Sequence, residues 1–331
     1  MIRRQSTLMA ALLLTLTAAT LASLGIGYAP LSPGDVVGGL FGLADEATTA
    51  IIREIRLPRI LLGIEVGAAL GLTGAALQGL LRNPLAEPGL IGVSSSAGLG
   101  AVIAFYFGLT ALSPFALPGM AMAGALLATL VVLAIGSRGQ DSLTLILAGI
   151  AVSSLSVSLT SLALNLAPNP YAMSEVMLWL MGSLKDRTPL DALLALPFIL
   201  GGGALIMASG RGLNALSLGD DAARSLGINL QKLRLMVVGG TAAAVGASVS
   251  VCGAVGFVGL IVPHLLRPLV GHEPRRLLLP SAVGGALLVT LADIAVRLIP
   301  TRQEVMLGVI TALIGTPFFL YLILRLRRGE G

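Results

Sequence analysis

Residues 57–80 read LPRILLGIEVGAALGLTGAALQGL, and this stretch decides the fold class. It is 24 residues long and is charged only at Arg59 and Glu65. A helix needs about 20 mostly apolar residues to cross a bilayer, so the stretch predicts a transmembrane helix. Nine further stretches predict spans of the same kind: 8–28, 90–108, 117–136, 142–165, 190–209, 235–254, 255–270, 277–298 and 305–324.

The whole chain carries too little charge for a soluble protein. Its 331 residues are 56% hydrophobic and 11% charged, whereas an average soluble domain is about 25% charged. The apolar stretches are continuous rather than alternating over about 10 residues, which excludes a transmembrane β-barrel. We therefore predict an all-α polytopic membrane protein with about ten transmembrane helices and a single domain over residues 1–331.

The reactive residues are too few for several functions. One cysteine, Cys252, cannot build a disulfide framework or a thiolate metal site, and two histidines, His264 and His272, cannot supply a proton relay. The chain has no GxxxxGKS/T loop, so it cannot hydrolyse ATP itself. We predict no catalytic residue, no metal, no cofactor held by this chain and no nucleic-acid binding. An ion-coupled secondary transporter is the rival interpretation. It would need several buried acids or histidines, and only Glu65 and Asp293 fit that requirement even loosely.

Basic residues orient the spans, because cytoplasmic loops carry an excess of lysine and arginine. Ten spans place 14 basic residues in the cytoplasm and 7 outside, whereas omitting the stretch 255–270 gives 10 and 11. We therefore predict ten spans with both termini cytoplasmic. The first stretch could be a signal peptide, but it is too long and no convincing cleavage site follows it.

Three connections are too rich in polar residues to be simple turns. Residues 29–56 predict an outer loop, and residues 173–184 predict a short helix at the outer surface. Inside, residues 210–229 read GRGLNALSLGDDAARSLGIN, which predicts two small amphipathic helices joined at Gly219. An interfacial helix resting on lipid is the alternative, but Asp220 and Asp221 would repel anionic headgroups. We expect a docking surface for a cytoplasmic protein.

Two glycine-rich segments echo each other. GAALQGLLRNPLAEPGLIG (74–92) is similar to GASVSVCGAVGFVGLIVP (246–263) in glycine spacing and in its GLI triplet. The predicted topology runs them in opposite directions, which would suit an inverted repeat of the transporter kind.

Longer motifs resemble a known family. RLPRILLGIEVGAALGLTGAALQGLLRNPLAEPGLIGVSSSAG (56–98), LNALSLGDDAARSLGIN (213–229), GAVGFVGLIVPHLLRPLVGHEPRRLLLPSA (253–282), ADIAVR (292–297) and GVITALIGTPFFLYLILR (308–325) resemble the iron-chelate, haem and cobalamin permeases of ATP-driven importers. The resemblance implies the ten-helix fold of type II ABC importers and a location in the bacterial inner membrane. The partners it implies are a second copy, two cytoplasmic ATPase subunits that use ATP and Mg, a periplasmic binding protein and membrane lipid.

The resemblance also implies site residues. Arg56, Arg59 and Arg297 would form salt bridges to acidic residues of the binding protein; snorkelling, or an internal pair of Arg297 with Asp293, is the alternative. Contact with the ATPase would fall on residues within 210–229: Leu213, Leu216, Leu218, Gly219, Ala222, Arg224, Leu226 and Gly227.

Residues from three segments are candidates for the translocation pathway. Glu65 could line an outward cavity, form a structural hydrogen bond or contact a metal. Ser154, Ser158 and Asn165 follow one face of the fifth span, which predicts a water-lined face. Met173 and Met177, with Met181, predict either packing or an adaptable gate surface.

The sequence departs from the family pattern at Glu65, at Ser96 in place of a frequent glycine, and at Met306 in place of a proline that commonly follows Glu304. Haem is the favoured substrate, with ferric siderophores and cobalamin as alternatives.

Overall fold

The computed structural model describes residues 2–27, 29–138, 142–167, 170–301 and 303–327. Arg302 and Arg328, which enter the charge comparison, lie outside these residues. The described chain is helical: α1 (Ile2–Gly25), α2 (Pro33–Phe41), α3 (Glu46–Ala50), α4 (Leu57–Leu80), α5 (Val93–Tyr106), α6 (Ala116–Arg138), α7 (Ser142–Asn165), α8 (Pro170–Leu180), α9 (Pro189–Leu216), α10 (Asp220–Ser225), α11 (Leu230–Cys252), α12 (Val258–Leu266), α13 (Pro274–Leu298) and α14 (Leu307–Arg327).

Within the described ranges, eight helical segments are long and apolar enough to cross a membrane, and two further apolar helices are shorter. The short ones are α5 and α12, which correspond to the predicted spans 90–108 and 255–270. The 14 residues of α5 reach about 21 Å, less than the ~30 Å hydrocarbon core. Both helices are shorter than the spans predicted for them, because left-handed backbone at Gly92 and at Phe257 delays the start of each helix.

The long helices run between two ends of the bundle. We call one the Arg59 end, where the start of α4 meets the ends of α1 and α13. The other is the Asp220 end, where the turn after α4 meets α10. Ten passages, counting the two short helices, place the start of α1 and the end of α14 at the Asp220 end.

Among the described helices, α4 and α13 make the most extensive contact with each other. A Cβ atom added at Gly67 would lie 2.3 Å from the carbonyl oxygen of Gly285, and one at Gly71 would lie 2.0 Å from that of Ser281. Small residues allow this approach in a membrane, where helix association depends on van der Waals packing rather than on expulsion of water. Helix α4 also packs on α9, α11 and α12, so it is the central helix of the chain.

The predicted outer loop 29–56 is largely helical. Ser32 caps α2 in a reciprocal capping box with Asp35, and these hydrogen bonds lower the pKa of the Asp35 carboxyl. Asp45 caps α3. A π-helical segment, Ile51–Arg56, then joins α3 to α4 without a break. The loop prediction overlooked these capping signals, which start helices within a charged stretch.

The segment 210–229 differs from its prediction in one half. Helix α9 continues to Leu216, so the first small helix is the end of a 28-residue helix. Gly210 and Gly212 do not break it, because they are the places where Arg275 and Leu233 pack against α9. The second small helix is α10, which starts after Gly219 as predicted.

The turn between α11 and α12 is held by Phe257, which has a positive φ of 66°. Its ring occupies the space beside Gly315 of α14, where an added Cβ would lie 2.2 Å from the ring. Its backbone N–H donates a hydrogen bond to the carboxylate of Glu87 in the turn after α4, although burial raises the pKa of Glu87. Three segments therefore meet at one residue.

Segment 74–92 contains the end of α4 and the connection that leads to α5, and segment 246–263 contains the end of α11, a turn and the start of α12. They meet where Gly74 packs against Gly259. An inverted repeat stays a prediction.

We predict that Gly71→Ala destabilises the protein by about 1–3 kcal/mol, because the methyl group would overlap the Ser281 carbonyl oxygen. Thermal unfolding in detergent, followed by tryptophan fluorescence, measures the loss. Gly201→Ala is the matched control, since an added Cβ there meets no atom within 4 Å. Equal melting temperatures for the two variants would contradict the close-packing argument.

Candidate functional site at the two ends and one exposed face

A buried ion cluster occupies the Arg59 end. The Arg59 guanidinium donates to Asp293 of α13, with Nε 2.8 Å from Oδ1, and to both carboxylate oxygens of Glu304. All three residues are less than 9% exposed. Because Glu304 lies in the segment before α14, one side chain ties together three parts of the chain. Burial of the charges is tolerated because each is paired and hydrogen-bonded.

Two further arginines cap the end of α1. The last carbonyl groups of a helix have no partner within the helix. Arg297 donates to the carbonyl oxygens of Ser23 and Ile26 and also pairs with Asp293 at 3.0 Å. Arg56 donates to the carbonyl oxygens of Leu24 and Ala29. The negative end of the α1 dipole thus meets positive charge.

The three arginines predicted to dock a binding protein are therefore engaged within the chain. The alternative foreseen for Arg297, a pair with Asp293, is present. Docking by these residues stays a prediction. It would have to draw on a cluster that is already packed, but three guanidinium groups face two carboxylates there, which leaves one excess positive charge.

At the Asp220 end, the predicted ATPase-contact residues divide into two groups. Leu213 and Leu216 are 0% and 4% exposed, so they anchor the end of α9 in the core. Leu218 and Leu226 are 70% and 62% exposed. The remaining members of the set are exposed or partly exposed: Gly219, Ala222, Arg224 and Gly227.

The predicted pathway residues of α7 and α8 lie on the exposed surface of the chain. Ser154, Ser158 and Asn165 are exposed on α7. Met173 and Met177 are 38% and 43% exposed on α8. Residues of α5, α7 and α8 line a common pocket, and α7 and α8 both pack against α5.

Ser96, which stands where the family often has glycine, forms a hydrogen bond with Ser156 of α7. Its hydroxyl lies 2.7 Å from that of Ser156, and both side chains are buried between α5 and α7. A hydrogen bond between two hydroxyls satisfies polar groups that burial would otherwise destabilise. Ser156 therefore faces inward from α7, whereas Ser158 faces outward.

The structure does not group Glu65 with the α7 residues. Helix α4 is central, while α7 packs on α5 and α6. The Glu65 side chain is partly exposed, and its Oε2 atom is buried without a hydrogen-bond partner among the described residues. Its role stays a prediction.

Several polar residues of the two ends escaped sequence reasoning as site residues: Ser23, Arg82, Asn214, Arg234, Glu273 and Glu304. Each acts through a partner distant in sequence, so local pattern carries no signal for it. Among the described residues, no group of three histidine, cysteine, aspartate or glutamate side chains is arranged to hold a metal ion.

Comparison with known proteins gives a consistent likeness. A profile of the FecCD transport family matches residues 13–325. The chain is 39% identical over 297 residues to the uncharacterized ABC transporter permease protein YvrB of Bacillus subtilis, covering 88% of this chain and 84% of that one. It is 41% identical over 286 residues to the cobalamin import permease BtuC of Halobacterium salinarum, covering 86% and 75%. It is 39% identical over 332 residues to the vitamin B12 import permease BtuC of Salmonella typhimurium, covering 98% and 97%.

Solved structures agree. An ABC transporter assigned to the metal-chelate type, in an inward-facing conformation, superposes with a TM-score of 0.86 at 32% identity, covering 97% of this chain and 99% of that one. PsaBC from Streptococcus pneumoniae, in complex with Fab, has a TM-score of 0.56 at 18% identity, covering 86% and 94%. At that identity the likeness concerns the fold alone.

We predict that Asp293→Asn destabilises the protein by about 3–5 kcal/mol, because it leaves the buried Arg59 and Arg297 with one carboxylate between them. Asp186→Asn, which removes an exposed partner of Lys185, should change stability by less than about 1 kcal/mol. Melting temperatures in detergent compare the two. A loss in Asp293→Asn as small as in Asp186→Asn would show that the cluster does not hold the Arg59 end together.

Proposed function

The chain belongs to the FecCD transport family, and from this premise we propose that it is the membrane subunit of an ATP-driven, binding-protein-dependent importer. It acts as a pair of identical copies that carry a cobalt or iron chelate between them. The observation that carries the proposal is the exposed polar stripe of α7. Although the Ser158 hydroxyl donates to the Ser154 carbonyl, a polar stripe on one face of a transmembrane helix suits a helix interface or an aqueous cavity better than lipid.

A second copy would cover this face. Beside α8, the exposed face continues over α14, with a groove of about 570 Å³ between them; its lining includes Met181, Ala254, Val309 and Leu313. Such an apolar groove suits an apolar helix face of the partner copy. The stripe of α7 would then face its counterpart across a water-filled pathway rather than lipid.

The Asp220 end is the cytoplasmic end in this proposal, in keeping with its basic loops. Exposed Leu218 and Leu226 offer apolar contacts to an ATPase subunit on either side of α10. This chain has no phosphate-binding loop, so energy reaches it as movement. Closure of two ATPase subunits would draw the α10 helices together and switch the pathway from one end to the other.

The Arg59 end then faces the binding protein. Arg56 is the member of the cluster without a carboxylate at ion-pair distance among the described residues. Its charge is the excess positive charge of the cluster, and an acidic side chain of the binding protein would neutralise it. Steering by opposite charge suits a partner that must arrive and depart in each cycle.

Cobalamin is the substrate we propose. Two of the relatives, from Halobacterium salinarum and Salmonella typhimurium, carry that name at 41% and 39% identity. Haem, which the sequence favoured, has no support from histidine or tyrosine on the exposed α7 stripe. Without an axial ligand, haem would have to pass as an apolar solute, and it remains the second candidate.

We predict that cobalamin accumulates in proteoliposomes containing this chain, its ATPase and its binding protein, and that uptake requires ATP. Haem and a ferric siderophore are assayed in parallel with their own binding proteins. Uptake should stop with vanadate and survive an uncoupler. Uptake that survives vanadate but stops with the uncoupler would identify an ion-coupled transporter and contradict the proposal.

We predict that Ser158→Cys reacts rapidly with a water-soluble maleimide in the assembled transporter, because the pathway is hydrated. Ser156→Cys, two residues away and buried against Ser96, is the matched control and should react slowly. Both changes are made after Cys252→Ala. Equal labelling at the two positions, or none at Ser158→Cys in any nucleotide state, would contradict a water-lined face.

We predict that Arg56→Gln lowers the stimulation of ATP hydrolysis by the binding protein and leaves the unstimulated rate in place, because one positive charge is lost at the docking end. Arg53→Gln is the control, since Arg53 is exposed nearby and donates to the Leu40 carbonyl. Stimulation that is unchanged in Arg56→Gln, with the protein folded, would remove Arg56 from docking.

A further inference from the structure

We propose that Asp220 is the positioning residue that links α10 to the central helix α4, so that movement imposed on α10 reaches the rest of the chain through this carboxylate. The inference rests on the proposed function, because it assigns α10 to contact with the ATPase. It concerns how that movement is transmitted and does not concern the contact itself.

The Asp220 carboxylate lies between the turn that follows α4 and helix α11. One oxygen is 2.7 Å from the Arg82 guanidinium, in the turn that follows α4, and the other is 3.8 Å from the Arg234 guanidinium of α11. The side chain is 23% exposed. We call the set of Asp220, Arg82 and Arg234 the Asp220 clasp.

Arg82 adopts a conformation that an arginine rarely takes. Its φ is +49°, in the left-handed region that glycine usually occupies after a helix. The strain of such a backbone persists where surrounding contacts determine it. Here the left-handed turn follows directly on α4, and the pair with Asp220 and the Asn83 N–H to Gln78 carbonyl hydrogen bond both fall within it. The chain therefore places a cation at this point against local preference.

A second polar link reaches the partner of α4. Asn214, at the end of α9, donates from its side-chain amide to Glu273 at 2.7 Å and accepts from the backbone N–H of Arg275 at 2.8 Å. These residues form the start of α13. Both links thus lead from the segment around α10 into the α4–α13 pair, whose close glycine contacts let the two helices move as one body.

The same pair carries the ion cluster at its other end. Arg59 of α4 bonds to Asp293 of α13 there. About 36 Å of helix separates the ends of α4, so a displacement at the Asp220 clasp reaches the Arg59 end along packed helices. A rigid element biased by contacts at both ends is a physical route for coupling between sites.

Asp221 provides the contrast. Its side chain is 100% exposed, and it pairs with Arg224 of its own helix at 3.2 Å. Among the described residues, Asp221 therefore makes no ion pair that links α10 to another helix. Two adjacent acids with the same charge differ in this property.

The experiment compares Asp220→Asn with Asp221→Asn in the complete transporter. Pull-down with the ATPase and the melting temperature establish assembly and folding; both variants should match the wild type, since partly exposed ion pairs contribute little to stability. The measured quantity is ATP hydrolysed per cobalamin molecule taken up. Coupling between sites is typically worth about 5–150-fold, so we expect at least about a fivefold rise in Asp220→Asn. We expect the ratio to stay near the wild-type value in Asp221→Asn. Asp220→Glu, which keeps the carboxylate, should bring the ratio back close to the wild-type value.

A normal ratio in Asp220→Asn would overturn the proposal, as would an equal rise in Asp221→Asn. A fall in uptake that matches a loss of assembly or of melting temperature would also overturn it, because Asp220 would then be merely structural. If the wild type moves none of the three chelates, the proposed function fails. The role of the Asp220 clasp is then tested by maleimide labelling of Ser158→Cys. ATP should change the labelling rate when Asp220 is present and should leave it unchanged in the double variant with Asp220→Asn.

Discussion

The close approach of α4 and α13 is the constraint on which the rest of the structure depends. In lipid, apolar side chains gain little from meeting one another, so helices associate where their surfaces fit. Gly67, Gly71 and Gly285 remove the side chains that would hold the backbones apart. The other helices then arrange themselves around α4, and both polar ends are built on the termini of this pair.

The ends show how charge is placed around such a core. At the Arg59 end, arginines meet two carboxylates and the carbonyl groups that close α1. At the Asp220 end, a carboxylate pairs with Arg82 in the turn after α4 and with Arg234 of α11. The first arrangement reinforces the α4–α13 pair and also ties α1 and the segment before α14 to it, whereas the second ties α10 to α11 and to the turn after α4. Polar contacts at the ends therefore set the relative positions of elements that the apolar interior leaves free.

The sequence predicted the helices better than the contacts. Long apolar stretches located the bounds of α4 and α7 to the residue, because length and hydropathy suffice in a bilayer. The short helices α5 and α12 were overestimated, since hydropathy does not register a left-handed backbone at Phe257. Contact of residues 210–229 with an ATPase stays a prediction, and exposure divides the predicted set, because Leu213 is buried and Leu218 is exposed. The partners of Arg59 lie more than 200 residues away, where no local pattern could indicate them.

The contact between Phe257 and Gly315 has a mechanical consequence. The Phe257 ring fills the space that a side chain at position 315 would occupy. Helix α14 can therefore tilt about this contact, but sliding along its own axis would drive the side chains next to Gly315 into the ring. Since α14 flanks the groove assigned to the second copy, the two halves of the molecule would rock against each other about a fixed point.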